Sequence, residues 1–226
     1  NAGGVIAASP FQVNTIDYIT IASTGNAQDF GDLLTVKSNG VGLSSSTRGV
    51  GSGGYITNTQ TNVMEYITIA STGNSQDFGD LTAAREDLSG VSNSTRGISA
   101  GGNPGLSTVM DFITIASTGN ATDFGDLTEN YIRYSSSTND TTRGVRCAGT
   151  TYSGGSTQFT NVIDYITMAN AGNATDFGDV LQGVYFGQNG DVEIRRDTLL
   201  ASLQTTLDPS DVNTNLKRLK KLKKSS

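Results

Sequence analysis

Four Asp-Phe-Gly-Asp quartets are the residues whose type and spacing first suggest chemistry. They occupy 29–32, 77–80, 123–126 and 176–179. Asp-Phe-Gly is the metal-binding triplet of protein kinases, but the chain has no Gly-rich nucleotide loop, no Val-Ala-Ile-Lys strand and no His-Arg-Asp loop. Carboxylate pairs also suit calcium, which favours carboxylate and carbonyl oxygens. Asp29 and Asp32 stand three apart, so in a strand they point to opposite faces, and shared coordination needs a bulge at Gly31. The simpler reading makes the Asp pair a hydrogen-bonding device for turn backbone, with Phe filling space between layers and Gly allowing close approach. No metal site is assigned.

The remaining catalytic inventory is short. The chain has 226 residues, no His and one Cys. It therefore lacks the commonest general base, the commonest metal ligand and any zinc site built from Cys and His. Cys147 stands where a repeat leads one to expect Gly, and reads as a small buried side chain. No catalytic residue and no cofactor is assigned, and the chain reads as a non-enzyme. Thr-Arg-Gly recurs with Arg48, Arg96 and Arg143. A guanidinium can grip a carboxylate with two hydrogen bonds, so these arginines are expected to pair with Asp17, Glu65, Asp111 or Asp164.

These residues recur because the elements that carry them recur. The segment from Ile16 to Leu33 returns from Met64 to Leu81, from Met110 to Leu127 and from Ile163 to Val180. Its Phe falls at Phe30, Phe78, Phe124 and Phe177, and its strand aromatic at Tyr18, Tyr66, Phe112 and Tyr165. One unit reads as four strands. An inner strand covers Arg96–Gly102, a second Val109–Ala116, a third carries Asp123–Leu127, and a fourth spans Asp87–Ser92 of the unit before. The turn Ser92-Asn93-Ser94-Thr95 then leads into the next unit. The second strand is apolar on both faces, Ile16 and Tyr18 on one and Ile19 and Ile21 on the other. That predicts a sheet packed between two sheets, as in a propeller blade.

Composition agrees with many short strands joined by tight turns. Gly numbers 28 but Pro only 3, hydrophobic residues are 35% and charged residues 16%. Collagen and disulfide scaffolds are excluded, and no apolar run approaches the roughly 20 residues of a membrane-spanning helix. Between the framework segments lie stretches that differ in length and sequence, at 5–15, 55–62, 103–108 and 150–161. Variable loops on a rigid scaffold are candidate recognition elements, and Tyr55, Tyr152 and Phe159 are their candidate contact residues.

A Gly-Gly pair, a strand ending in an aromatic, a turn, an aromatic strand and then Arg, at a period near 50, resembles the kelch repeat. Tyr18, Tyr66, Phe112 and Tyr165 match the kelch tyrosine, and Phe30, Phe78, Phe124 and Phe177 stand where kelch usually has Trp. Arg85 matches the Arg after the outer strand, with Lys37 and Arg133 near that position. The resemblance covers about residues 1–190 and implies an all-β, kelch-like β-propeller with four recognisable blades. Kelch propellers usually have five to seven. The expectation is therefore a four-bladed ring, a ring with upstream blades beyond Asn1, or an open array completed by partners or oligomerisation. The kelch oxidases need His and a Tyr-Cys crosslink, so their copper chemistry does not carry over. The spelling from Ile113 to Thr128 resembles repeat proteins of marine bacteriophages, notably those of cyanobacteria, which are classed as virion structural proteins. That resemblance implies a phage tail, fibre or capsid appendage on the particle. Its expected partners are other virion proteins and a host surface glycan or protein, with homo-oligomers in the particle. A stand-alone lectin-like module is the alternative.

Beyond the repeats, Gly183–Ile194 reads as a final hairpin, closing a domain of residues 1–194. Residues 195–226 read as a helical, basic tail with a stripe of Leu199, Leu200, Leu203 and Leu207. Leu216, Leu219 and Leu222 follow, interleaved with Lys217, Arg218, Lys220 and Lys221. The last eighteen residues carry a net +5 and the rest −11, which together make the formal −6. The leucines ask for an apolar partner, and no aromatics are present to stack on bases. The tail is thus read as a protein-docking device, with neither nucleic-acid binding nor membrane insertion expected.

Overall fold

The computed structural model describes residues 2–6, 12–104, 107–130, 135–153 and 156–183. The chain divides into two compact units, Asn1–Asp191 and Val192–Ser226, and every described residue lies in the first. The expected hairpin from Val184 onward and the docking tail with Leu216, Lys217, Arg218, Leu219, Lys220, Lys221 and Leu222 fall outside the described residues.

Among the described residues every regular element is a strand. Sheet one holds β1 (Ala2–Val5), β2 (Gln12–Tyr18) and β3 (Gln28–Asp32). Sheet two holds β4 (Val41–Ser44) and β5 (Arg48–Ser52), then, after the small hairpin of β6 (Tyr55–Ile56) and β7 (Thr59–Gln60), β8 (Val63–Thr68) and β9 (Gln76–Asp80). Sheet three holds β10 (Ser89–Ser92), β11 (Arg96–Ala100), β12 (Val109–Thr114) and β13 (Thr122–Asp126). Sheet four holds β14 (Ser136–Asn139), β15 (Arg143–Ser153), β16 (Ser156–Thr167) and β17 (Thr175–Asp179). All pairings are antiparallel between strands that follow one another in each sheet.

The phase of the unit differs from the sequence reading. The strand expected to end one unit opens the next sheet, since β10 pairs with β11 in the register Ser92↔Gly97. The reason is the turn between them. The Asn93 side-chain oxygen accepts the N–H groups of Thr95 and Arg96 at 3.0 and 2.9 Å, which closes a hairpin locally. The chain moves between sheets through 81–88 instead. It is also β10, not β11, that touches both β4 and β14, so the strand nearest the neighbouring sheets is the first of each four.

Each quartet forms the bulge that its Gly permits. Met110 faces Gly125 and Asp111 faces Asp123, so Phe124 is the extra residue, and the other three sheets repeat this. The bulged Phe goes into the gap between sheets. Phe78 and Met64 of sheet two pack with Ile113 and Ile115 of sheet three, and Phe124 and Met110 of sheet three with Ile166 and Met168 of sheet four. Ile16 and Phe30 of sheet one meet Ile67. Each such side chain contributes about 1.5–3 kcal/mol on full burial. Burial on both faces thus holds for sheet three. It does not hold for sheet one, where Ile21 is 94% exposed while its counterpart Ile115 is 0% exposed.

Candidate functional site

The repeated charges and aromatics form two networks. The first is a stack at the edge of each sheet. The rings Tyr18–Phe30, Tyr66–Phe78, Phe112–Phe124 and Tyr165–Phe177 meet edge to face at 5.9–6.0 Å. Arg48, Arg96 and Arg143 lie over Tyr66, Phe112 and Tyr165 at 4.5, 4.9 and 4.9 Å. Arg48 and Arg96 also donate to the carbonyls of Ile115 and Met168 in the next sheet, at 3.1 and 3.0 Å. The expected pairing of these arginines with the strand carboxylates is thereby replaced. The aromatic ring one strand away offers its π face at the distance where the carboxylates lie on the opposite side of the strand.

The carboxylates are held by other cations. Lys37 pairs with Glu65 at 2.6 Å, Arg85 pairs with Asp111, and Arg146 pairs with Asp164 at 3.3 Å, all buried. Lys37 and Arg85 come from the segment that follows one sheet, and their partners from the third strand of the next. Glu65 further accepts from the Leu34 N–H at 2.7 Å and the Ser75 hydroxyl at 2.6 Å. Arg85 also donates to the carbonyls of Gly101 and Val109 at 2.6 and 2.8 Å. Burial pushes the Arg85 guanidinium pKa down, and Asp111 opposes that. The Lys37 and Arg85 pairs tie a linker to the sheet it leads into, with the buried Arg85 Nε left without a hydrogen-bond partner. The signal for them was present in the near-period positions of Lys37 and Arg85. Glu86 gave no such signal. Its buried carboxylate accepts from the amides of Asn39, Gln60 and Asn103 at 3.2, 3.0 and 3.0 Å.

The Asp-Phe-Gly-Asp quartets serve backbone. Asp77, Asp123 and Asp176 accept the N–H of the Gly two residues on, at 3.2, 3.2 and 2.9 Å. Among the described residues no three or more His, Cys, Asp or Glu converge. Cys147 is half-buried, and burial raises its thiol pKa against the pull of Arg146, so it is a thiol at neutral pH and a weak nucleophile.

The candidate recognition residues separate. Tyr55 is half-buried, exchanges both backbone hydrogen bonds with Ser38, and its carbonyl also accepts from the Gln12 side chain. It belongs to the framework more than to a loop tip. Phe159 is 60% exposed, on a β15–β16 hairpin that stays paired out to Ser153↔Ser156. Tyr152 lies on the same hairpin opposite Thr157, and the position of its side chain is outside the described residues. Sheets two and four thus carry hairpins of different length. A cavity of about 550 Å³ is lined by glycine-rich β1, by Lys37, Asn39 and Gly40, and by Asp87.

No protein-family model matches the chain, and no curated protein matches it. Among solved structures, one described as the structure of YjhT superposes with a TM-score of 0.69 at 9% identity, over 82% of this chain and 69% of that one. The likeness is one of all-β fold.

Proposed function

We propose that this chain is a kelch-like propeller-type scaffold serving as a non-enzymatic structural protein of a phage particle, a tail, fibre or capsid appendage. It would contact other virion proteins or the host surface. One observation carries the reading. Repeated arginines and two buried ion pairs join one sheet to the next, while hairpins of different length project from sheets two and four. A scaffold with charges locked in pairs and projecting variable hairpins suits recognition better than turnover. The repeat spelling supplies the viral part of the proposal. Antibody raised against the chain should decorate phage particles at one fixed location in electron micrographs. Particles that carry no label would remove the virion assignment.

The lectin-like alternative has its own observation, the exposed ring of Phe159 on the projecting hairpin, which is suited to stacking on a sugar face. Screened against host polysaccharides, the chain should then bind at least one, and Phe159→Ala should weaken that binding by about tenfold or more, the scale of a lost aromatic anchor.

A further inference from the structure

We propose that the chain binds a second copy of itself head to tail, the last face of sheet four in one copy seated on the leading face of sheet one in the next. The proposal goes beyond the function above and stands without it, because it rests on a junction the chain already makes three times. In each junction, Gly73, Gly119 and Gly172 donate their N–H to the carbonyls of Phe30, Phe78 and Phe124 in the sheet before, at 2.7, 2.6 and 2.6 Å. Ser75, Ala121 and Ala174 donate to the carbonyls of Asp32, Asp80 and Asp126, each at 2.8 Å. The side-chain oxygens of Asn74, Asn120 and Asn173 accept the N–H of those same aspartates at 3.0, 3.0 and 3.1 Å. Beneath this clamp lies the Phe-to-Ile packing already described.

Sheets one and four each present one half of the clamp. Sheet one presents Gly25, Asn26 and Ala27 beside Ile19 and Ile21, all exposed. Thr24-Gly25-Asn26-Ala27 is spelled as Thr118-Gly119-Asn120-Ala121 is, inside the second junction. Sheet four presents Asp176-Phe177-Gly178-Asp179, spelled as Asp77–Asp80 is. Phe177 is 57% exposed where Phe78 and Phe124 are 2% exposed. A Cβ on Gly79 would lie 2.4 Å from the Gly119 carbonyl oxygen, whereas one on Gly178 would meet open space. Arg143, placed as Arg48 and Arg96 are, would reach the Ile21 carbonyl of the second copy. Among the described residues, apolar groups and the backbone segments of the clamp therefore face outward together, in the two shapes that recognise each other within the chain. Because the halves differ, the contact is heterologous, and it closes a ring or continues according to the rotation it imposes.

Light scattering or sedimentation of the full chain tests this. The wild-type chain is expected to run larger than one chain and to dissociate on dilution. Ile21→Asp and Phe177→Asp each spoil a different half and should each run at the mass of one chain with an unchanged circular dichroism spectrum, since both side chains are exposed in the single chain. Mixed in equal amounts, the two variants should form a dimer and nothing larger, because one intact half remains on each. Should either aspartate variant misfold, Ile21→Ser or Phe177→Ser replaces it at the same exposed position. A wild-type chain that stays single at every concentration overturns the proposal and leaves these faces to a different partner. Variants that assemble as the wild type does, or a mixture that gives no dimer, overturn it too.

Discussion

Single residues in this scaffold are tuned against their copies, which makes the copies natural controls. Ala148 takes φ +52° where the other units place Gly3, Gly53 and Gly101 at +64°, +63° and +67°. A left-handed residue with a Cβ costs about 1–2 kcal/mol, partly offset by its buried methyl group. Ala148→Gly should thus raise stability by up to about 1 kcal/mol in chemical denaturation, whereas Gly53→Ala, whose Cβ would sit 2.5 Å from the Arg85 carbonyl oxygen, should lower it. Asp140 offers a second contrast. The N–H groups of Arg143 and Thr142, at 2.7 and 2.6 Å, and the Thr142 hydroxyl hold its carboxyl pKa below the usual aspartate value. With the folded pKa below the unfolded one, its contribution is present at neutral pH and disappears as pH falls through the depressed value. In sheet three the same turn is held by the neutral Asn93. Asp140→Asn should therefore keep the neutral-pH melting temperature and remove part of its fall in strongly acidic buffer, and Asp140→Ala should lower the neutral value.

At the scale of the element, the junctions decide what a strand can tolerate. Asp111 is 1% exposed and paired with Arg85, so Asp111→Ala leaves a buried cation and should cost about 3–5 kcal/mol in denaturant unfolding. The quartets and the strand periodicity could be read from the chain, because spacing of two and a repeat near 48 are one-dimensional facts, whereas burial of both faces came out in sheet three and not in sheet one, where Ile19 and Ile21 are exposed. The pairing of charges could not. Arg48, Arg96 and Arg143 recur at the same interval as the acids, so periodicity alone joins them. Which side of a strand each occupies follows from the register that sets Arg48 opposite Thr68 and Arg96 opposite Thr114, leaving Glu65 and Asp111 on the other face. The phase of the unit was hidden for a similar reason, since a polar turn looks alike whether it closes a hairpin or links two sheets. Tyr55 was read as a loop residue because its neighbours vary, yet its backbone is pinned by Ser38 from the preceding linker, a contact seventeen residues away in sequence.

For the molecule as a whole, stability in a stacked array is close to a sum of units and junctions. Removing residues 81–126 joins Asp80 to Leu127 in phase and deletes sheet three with one linker. The product should still unfold cooperatively, at lower denaturant than the parent, since it loses one unit and one junction. A product without a cooperative transition would show that the sheets are not separable modules. Cores and clamps repeat at each boundary, and linker ion pairs at the first two, which explains how sheets with a shared repeat stay in order. Each is covalently tied to its neighbour by a short linker, and every junction reads the same way along the chain.

The strands of sheets two, three and four are contiguous in sequence, each sheet finished before the next begins. One sheet therefore corresponds to one uninterrupted stretch of coding sequence, and the stretches share the repeated segment that ends in the quartet. Unequal recombination between them adds or removes a complete sheet with its linker and both halves of its clamp, without splitting a hydrogen-bonded strand pair. Repeat number is in this way a heritable variable that can change in a single step, while the hairpins that face outward diversify by point mutation.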